Sequence, residues 1–302
     1  MFSFKEGEPI SLVNNKILYK TTDDSISIPP NIDSIIPINR INKIKTKLGN
    51  QKYRKLLKCI EDQYCDEKDV IYPVYDELIN AYDQSNYSNN EEIFSPIPCL
   101  ESDQNDRIYI CGPSGSGKST YLNKYIENYH TINPDNNIYL YSALTEDNSI
   151  NSKHVKRVDL NAMLPNITYE LIDHMSIESF PYLNNSLAVF DDTDSISNEI
   201  LNEFIVKLKN CLLETGRHIN CYIAITNHKI SDYNKTKTVL NECSHITLFP
   251  SSNKTNVMKY LTKTLMMTTE LSRWITNLNS RWITICNKHP MYILWEHGCK
   301  LI

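Results

Sequence analysis

Short apolar runs alternate with longer amphipathic stretches from residue 107 onward. Continuous apolar runs of this length are typical of strands that are buried on both faces. Their alternation with amphipathic stretches is the βαβ pattern of a mainly parallel, open sheet covered by helices. We predict core strands at residues 107–111, 137–141, 186–190, 221–226 and 245–249.

The pattern changes after residue 250. Residues 256–278 have the spacing of a helix. Two runs rich in Ile, Tyr and Trp follow at 281–286 and 291–295, separated by Asn-Lys-His-Pro, and they predict a β-hairpin. The predicted fold class is therefore α/β, with an open, mainly parallel sheet and a C-terminal β-hairpin.

Residues 1–106 differ from the rest of the chain. Apolar spacing over 48–62 and 72–82 is loosely helical, and residues 82–93 have the polar composition of a linker. With 302 residues, of which 41% are hydrophobic, the chain can bury one main core and a smaller appended region. We predict a small, mainly helical N-terminal region at 1–106, of unknown role, and one domain at 107–302.

A glycine-rich loop follows the first predicted core strand and matches G-x-x-x-x-G-K-[ST] at every fixed position. We expect the nucleotide to be bound by Gly112, Pro113, Ser114, Gly115, Ser116, Gly117, Lys118, Ser119 and Thr120. The loop N–H groups and the following helix N-terminus face phosphate, Lys118 contacts the β- and γ-phosphates, and the Ser119 hydroxyl holds Mg²⁺. A chance glycine-rich turn is the alternative, although the strand, the Lys-Ser pair and the helix are all in register.

Two acidic residues, Asp191 and Asp192, end the predicted strand at 186–190. Ligands bind at the carboxyl edge of open α/β sheets. We expect Asp191 to complete the Mg²⁺ site through water and Asp192 to polarise the attacking water. The alternative is an Asp-rich turn or helix cap before the amphipathic segment 196–213, and we assign Asp194 to that role.

Polar residues also end and precede the predicted strand at 221–226. Asn227 is a candidate to contact the γ-phosphate or its water, and a local turn is an equally good interpretation. Arg217 could act on the γ-phosphate of a neighbouring subunit, which would make assembly a condition of hydrolysis. The alternative for Arg217 is a helix C-terminus, with Gly216 at the C′ position.

The net charge of −5 hides an asymmetry along the chain. Counted by residue, it is −6 over 1–106, −6 over 107–199 and +7 over 201–302. A basic C-terminal third fits a surface that faces nucleic-acid phosphates, because Lys and Arg release counterions there. A solvated surface of mixed charge is the alternative.

The cysteines and the hydropathy exclude several classes of protein. Nine cysteines without a C-x-x-C pair argue against a disulfide framework or a zinc ribbon, and their spacing to nearby histidines matches no usual metal site. The chain has no run of 18 apolar residues, and its first residues lack the basic flank of a secretory signal. We therefore expect a soluble, intracellular protein with no membrane partner.

Four segments together resemble a known family: GPSGSGKST, LAVFDDTD, ETGRHINCYIAITNHKISDY and NECSHITLFP. They are similar to the genome-packaging ATPases of large DNA viruses such as poxviruses, a branch of the FtsK–HerA superfamily of P-loop NTPases. The resemblance covers roughly residues 107–302. It implies that Lys118 and Ser119 bind ATP and Mg²⁺, that Asp191 and Asp192 form the acidic pair, and that Arg217 is the arginine finger.

Two positions depart from the family pattern. Asn227 stands where the family prefers Gln, and Leu240 precedes Asn241 where an Arg is usual. Lys237 lies three residues before Leu240 and is a candidate to substitute for that Arg, although Lys and Arg are not interchangeable at a bidentate contact. Nucleotide binding is therefore more firmly implied than full motor activity.

The resemblance implies an oligomeric ring that hydrolyses ATP to move double-stranded DNA into a capsid. It also implies capsid proteins as partners, and a location in the host cytoplasm, at the virus factory, or in the virion. Two alternatives stay open. One is a phosphotransferase such as a nucleotide kinase, although residues 107–250 contain only three arginines and no lid-like cluster. The other is a nucleotide-binding module that does not hydrolyse ATP.

Overall fold

The computed structural model describes most of the chain from residue 105 onward and short pieces before it. The described residues are 2–3, 7–13, 16–20, 49–51, 53–55, 58, 86–88, 92–98, 105–144, 150, 152–228, 230, 237–288 and 291–302. They divide into two compact units. One comprises Met1–Ile93 with His297–Ile302, and the other comprises Phe94–Glu296.

The described residues of the first unit form short antiparallel strands. β1 (Phe2–Ser3) and β2 (Glu8–Val13) both pair with β3 (Lys16–Lys20). Lys20 is buried there, with its Nζ 2.7 Å from Glu8 Oε2. β4 (Asn86–Ser88) pairs with β14 (Gly298–Leu301) at the other end of the sequence.

These strands were not predicted from the sequence. The predicted helix at 48–62 is described only at 49–51, 53–55 and 58, which are helical. The predicted helix at 72–82 lies outside the described residues. β4 falls inside the predicted linker, because backbone pairing with a strand some 200 residues away leaves no local pattern.

The second unit contains one large sheet. Its described strands run in the order β13-β12-β11-β6-β10-β9-β7-β8. All neighbours from β11 to β8 are parallel, and β12 and β13 are antiparallel. The strands of this unit are β5 (Phe94–Pro96), β6 (Arg107–Cys111), β7 (Asn137–Ser142), β8 (Val155–Arg157), β9 (Ser186–Asp191), β10 (Cys221–Asn227), β11 (His245–Leu248), β12 (Ile283–Cys286) and β13 (Tyr292–Trp295).

Helices cover the parallel strands, so every residue of β9 is buried. The described α-helices of this unit are α1 (Lys118–Ile132), α2 (Leu160–Met163), α3 (Tyr169–Asp173), α4 (Glu199–Thr215), α5 (Lys237–Glu242), α6 (Lys254–Lys263) and α7 (Thr269–Asn277). Leu122 and Ile126 of α1 and Phe204 and Leu208 of α4 are almost completely buried. The continuous apolar strands that the sequence shows are explained by this double coverage.

The predicted α/β fold class is confirmed, and so are the five core strands and the hairpin formed by β12 and β13. The helical stretch predicted at 256–278 is helical, but not as one helix. It is divided into α6 and α7, because Met266 has a left-handed φ of 53° and the Thr268 hydroxyl caps a new helix by accepting from Leu271 N.

The contact-based division of the chain falls between Ile93 and Phe94, and the domain boundary at 106/107 stays a prediction. Among the described helices, none has both the length and the apolar content of a membrane span.

Candidate nucleotide-binding site

The glycine-rich loop connects β6 to α1, as the motif requires. Gly117 precedes α1 with a φ of 107°, a left-handed conformation that favours glycine. A β-carbon on Gly112 would lie 2.6 Å from Ser116 Oγ and 2.8 Å from Phe249 Cδ2, so a side chain does not fit there. The two glycines therefore set a turn and a close approach that no larger residue reproduces.

Lys118 is buried beneath the loop. Its Nζ donates to the carbonyl oxygen of Gly112 at 3.0 Å and to that of Pro113 at 3.5 Å. The same ammonium lies 3.3 Å from His228 Nδ1. The lysine is thus directed at the concave side of the loop, where a phosphate would bind.

The loop has donors that suit an anion. Ser116 Oγ is buried and has no hydrogen-bond partner among the described residues. The first N–H groups of a helix have no acceptor within the helix, and they include those of Lys118, Ser119 and Thr120 in α1. Ser114 and Gly115 are exposed at the mouth of the loop. These observations fit a bound nucleotide phosphate.

The two carboxylates lie at the same edge of the sheet. β10 lies between β6 and β9, and its Thr226 Oγ1 donates to Asp191 Oδ1 at 2.7 Å. Asp192 N donates to the same hydroxyl oxygen at 2.9 Å. Asp191 is buried, whereas the Asp192 side chain is 31% exposed. The Asp191 carboxylate is therefore buried and held by Thr226, whereas the Asp192 carboxylate is accessible to water.

His228 is a site residue that the sequence reasoning missed. Its Nε2 lies 3.1 Å from Asp192 Oδ2, and its Nδ1 faces Lys118. The only signal in the sequence was its position directly after the Thr-Asn end of β10. A polar residue at the carboxyl end of a central strand is a candidate in any open α/β sheet.

Asn227 and Asp194 are partners of each other. The Asn227 amide donates to Asp194 Oδ2, and the Asn227 carbonyl oxygen accepts from Gly112 N at 3.1 Å. Asp194 also lies 3.4 Å from the buried Lys209 Nζ. Of the two roles expected for Asp194, the turn agrees with the structure, which places it in the 3₁₀ turn Thr193–Ser195. The helix cap does not, because the cap of α4 is Asn198, whose Oδ1 accepts from Leu201 N. The Asn227 side chain is thus occupied beside the carboxylates.

Arg217 lies at the opposite edge of the sheet. It is exposed in a short 3₁₀ turn that directly precedes β10, whereas the glycine-rich loop lies beyond the other end of that strand. Seven strand residues separate the two edges by about 20 Å. Arg217 therefore does not reach the nucleotide edge of its own chain, and its action on a neighbouring subunit stays a prediction.

Gly216 does not have the C′ geometry that was expected after α4. Its φ is −54°, and the left-handed residue of this turn is Asn220, with a φ of 53°. Leu240, the position at which the resemblance implied an Arg, packs against the hydrophobic core.

Arg281 is a second residue that the sequence reasoning did not place at the site. Its side chain packs against Gly117, and its backbone N donates to Glu296 Oε2 at 2.6 Å. The neighbouring Trp282 packs edge-on against Tyr121 of α1, with ring centroids 5.0 Å apart. These contacts bring the start of the hairpin to the phosphate loop.

All described cysteines are free thiols, and all of them except the partly buried Cys211 are buried. Burial raises the pKa of the Cys111 and Cys221 thiols to about 12. Among the described residues, no three His, Cys, Asp or Glu side chains form a metal-binding cluster. Cys59, Cys65 and Cys99 lie outside the described residues.

No protein-family model matches the chain. Among solved structures, it is similar to the genome-packaging NTPase B204 of Sulfolobus turreted icosahedral virus 2, with 13% identity and a TM-score of 0.39 over 64% of this chain and 98% of B204. It is also similar to the pCW3 conjugation coupling protein TcpA, with 11% identity and a TM-score of 0.43 over 71% of this chain and 66% of TcpA.

A closer relation is found by sequence. The uncharacterized protein V3 of the Sputnik virophage is 34% identical over 198 residues, which are 65% of this chain and 76% of V3. An identity of this size over three quarters of V3 shows common membership, and the chain belongs to the same family as protein V3 of the Sputnik virophage.

Proposed function

We propose that the chain is an Mg²⁺-dependent ATPase that translocates double-stranded DNA, in a homo-oligomeric ring that fills a viral capsid. The observation that carries this proposal is the meeting of Lys118, Asp191 and Asp192 at one sheet edge, linked through Thr226 and His228. A phosphate loop, a buried acid and a more exposed acid are the parts that ATP hydrolysis requires.

Each residue has a role that its surroundings support. Lys118 and the N–H groups at the start of α1 bind the β- and γ-phosphates, and Ser119 with Asp191 would hold Mg²⁺. When bound, Mg²⁺ neutralises the charge on the phosphate oxygens. Asp192, which reaches solvent, orients the attacking water and accepts its proton. The Thr226 hydroxyl donates to the Asp191 carboxylate and accepts from the Asp192 N–H, and it thereby fixes the two acids relative to each other.

The DNA part of the proposal is supported by a basic groove between α6 and α7. Lys254, Lys259 and Arg273 are exposed around a cavity of about 550 Å³. Residues 201–302 carry a charge of +7, whereas the two preceding parts of the chain are each −6. Such a groove suits the sugar–phosphate backbone of DNA, with affinity that does not depend on base sequence.

A second candidate function, phosphoryl transfer to a small acceptor, is favoured by one feature. A cavity of about 460 Å³ lies at the carboxyl ends of β7 and β9 and is lined by Ser142, Asp159 and Asn198, among others. Its size is that of a small-molecule site. It lies beside Asp191, because Ser142 and Asp191 are paired residues of the sheet.

Steady-state ATP hydrolysis, measured with and without duplex DNA, tests the proposed function. We expect DNA-stimulated turnover that is lost in Lys118→Ala, because the Lys118 ammonium is the cation held at the Gly112 and Pro113 carbonyl oxygens of the loop. Lys124→Ala is the matched control, since Lys124 is exposed on the same helix. Normal turnover in Lys118→Ala would exclude this site. Turnover that needs an acceptor would favour the kinase, and ATP binding alone would favour a module without hydrolysis.

A further inference from the structure

The imidazole of His228 connects the two charged groups on which hydrolysis depends. Nδ1 lies 3.3 Å from Lys118 Nζ, and Nε2 lies 3.1 Å from Asp192 Oδ2. The His228 side chain is 51% exposed, so neither contact results from packing in the core. The ring lies where a phosphate held by Lys118 and a water held by Asp192 would meet.

The chemistry of the neighbours determines the tautomer of His228. The Lys118 ammonium can only donate, so Nδ1 must accept and carries no proton. Nε2 then carries the proton of the neutral ring and donates it to the Asp192 carboxylate. The other ring tautomer would leave two donors facing each other at Nδ1.

The backbone of Asp192 is fixed, whereas its carboxylate is held only weakly by the Thr226 hydroxyl, which lies 3.4 Å from Asp192 Oδ1 and donates to Asp191 Oδ1 at 2.7 Å. Asp192 N is held by the Thr226 hydroxyl, and the turn that follows is closed by Ser195 Oγ, which donates to the Asp192 carbonyl oxygen at 2.8 Å. Rotation about the side-chain bonds is therefore the freedom that remains to Asp192. The Nε2–H of His228 is the donor that selects one orientation.

We propose that His228 is a positioning residue, which orients the Asp192 carboxylate when Lys118 binds the γ-phosphate of ATP. This proposal rests on the proposed function. When Lys118 turns to the γ-phosphate, Nδ1 loses its donor, while Nε2 still directs the Asp192 carboxylate toward the water next to that phosphate. His228, which directly follows β10, is then the residue that responds to ATP, whereas the Asn227 amide is bonded to Asp194.

The kinetic test compares His228→Ala with His228→Gln. We expect His228→Ala to lower kcat for ATP by about tenfold to a hundredfold, the usual effect of a misplaced catalytic group, with KM for ATP unchanged or lower. His228→Gln should recover most of kcat, because the amide oxygen can accept from Lys118 while the amide NH₂ donates to Asp192. His218→Ala is the control, since His218 is exposed at the opposite edge of the sheet.

Unchanged kcat in His228→Ala would overturn the proposal, as would loss of both kcat and ATP affinity without rescue by Gln. Equal unfolding temperatures of the variants exclude a folding defect. If Lys118→Ala abolishes turnover while His228→Ala does not, the proposed function stands and the role of His228 fails.

A spectroscopic measurement decides the question even if the wild-type chain hydrolyses no ATP. The imidazole ¹⁵N chemical shifts of His228, assigned by their absence in His228→Gln, should show the Nε2–H tautomer. Mg·ATPγS should change the Nδ1 shift more than Mg·ADP does, because only ATPγS has a γ-phosphate beside the ring. An Nδ1–H tautomer, or the same response to both nucleotides, would contradict the proposal.

Discussion

The Arg281 side chain lies across Gly117, with Cδ 3.4 Å and Cγ 4.0 Å from the position that a β-carbon on Gly117 would occupy. Gly117 immediately precedes Lys118 and α1, so a cation from the start of the C-terminal hairpin meets the phosphate loop of the same chain. The bond from Arg281 N to Glu296 holds the backbone in place. We infer that the guanidinium beyond Cδ contacts a nucleotide bound to the loop.

Arg281→Gln should weaken the binding of Mg·ATPγS by about tenfold to a hundredfold, the size of one hydrogen bond to a charged group. Isothermal titration calorimetry measures this dissociation constant. Arg273→Gln is the matched control, because Arg273 is exposed on α7 in the basic groove. Equal affinities in the two variants would show that Arg281 only covers the glycine.

Asp192→Asn should retain Mg·ATP binding and slow hydrolysis by about 10² to 10⁴, the contribution of a positioned general base. Asp191→Asn should instead weaken the Mg²⁺ dependence of ATP binding, because the buried carboxylate is the proposed metal partner. Titrations of nucleotide at several Mg²⁺ concentrations separate the two effects. If Asp191→Asn slows hydrolysis and Asp192→Asn weakens the Mg²⁺ dependence of binding, the roles of the two acids are reversed.

Thr226→Val should lower the free energy of unfolding by about 1–3 kcal/mol, because it removes the hydroxyl shared by the Asp191 carboxylate and the Asp192 N–H. It should also slow hydrolysis, because Asp191 and Asp192 lose the hydroxyl that fixes their positions relative to each other. Thr226→Ser keeps the hydroxyl and should restore the hydrolysis rate. Denaturant titration and ATPase assays measure the two quantities, and wild-type values in the valine variant would contradict this role.

Binding of duplex DNA should weaken steeply with salt, with a slope of about −0.9 in log affinity against log salt per phosphate neutralised. Changing Lys254, Lys259, Lys263 and Arg273 to Gln in groups should reduce both the affinity and this slope. Lys124→Gln and Lys156→Gln provide exposed controls on other surfaces. An unchanged slope in every group would remove the groove from the DNA-binding surface.

The buried thiols should make the free energy of unfolding decrease at alkaline pH. Burial raises the pKa of Cys111 and Cys221 from 9.0 to about 12, so the unfolded chain loses these protons first. The stabilisation is complete below pH 9 and is lost as the pH rises toward 12. Denaturant titrations at pH 8 and 10.5 measure this loss.

At pH 8 the half-exposed Cys211 should react with iodoacetamide before Cys111, as peptide mapping would show.

The sequence predicted those parts of the site that depend on neighbours in the chain. Strand, glycine-rich loop and helix are consecutive, and Asp191 is the last residue of its strand, so periodicity and spacing were sufficient to predict where these elements lie. Arg281 and Gly117 are 164 residues apart. Their contact depends on β11 and β12 pairing beside β6, which no local pattern encodes.

The direction of side chains was also beyond the sequence. Asn227 and His228 are adjacent polar residues at the end of one strand, and successive residues there face different surroundings. The structure directs Asn227 to Asp194 and His228 to Lys118 and Asp192. Arg217 precedes β10 and so lies at the edge of the sheet opposite the glycine-rich loop, and its predicted action on the γ-phosphate of a neighbouring subunit stays a prediction.

Asp192 has a left-handed backbone, with φ 44° and ψ 35°. Asp, Asn and Gly enter this region at small cost, whereas longer side chains are disfavoured there. Glutamate would preserve the charge but not the turn, and glycine would preserve the turn but not the charge. The choice of acid at this position is therefore limited by the shape of the main chain as well as by the reaction, and aspartate satisfies both requirements.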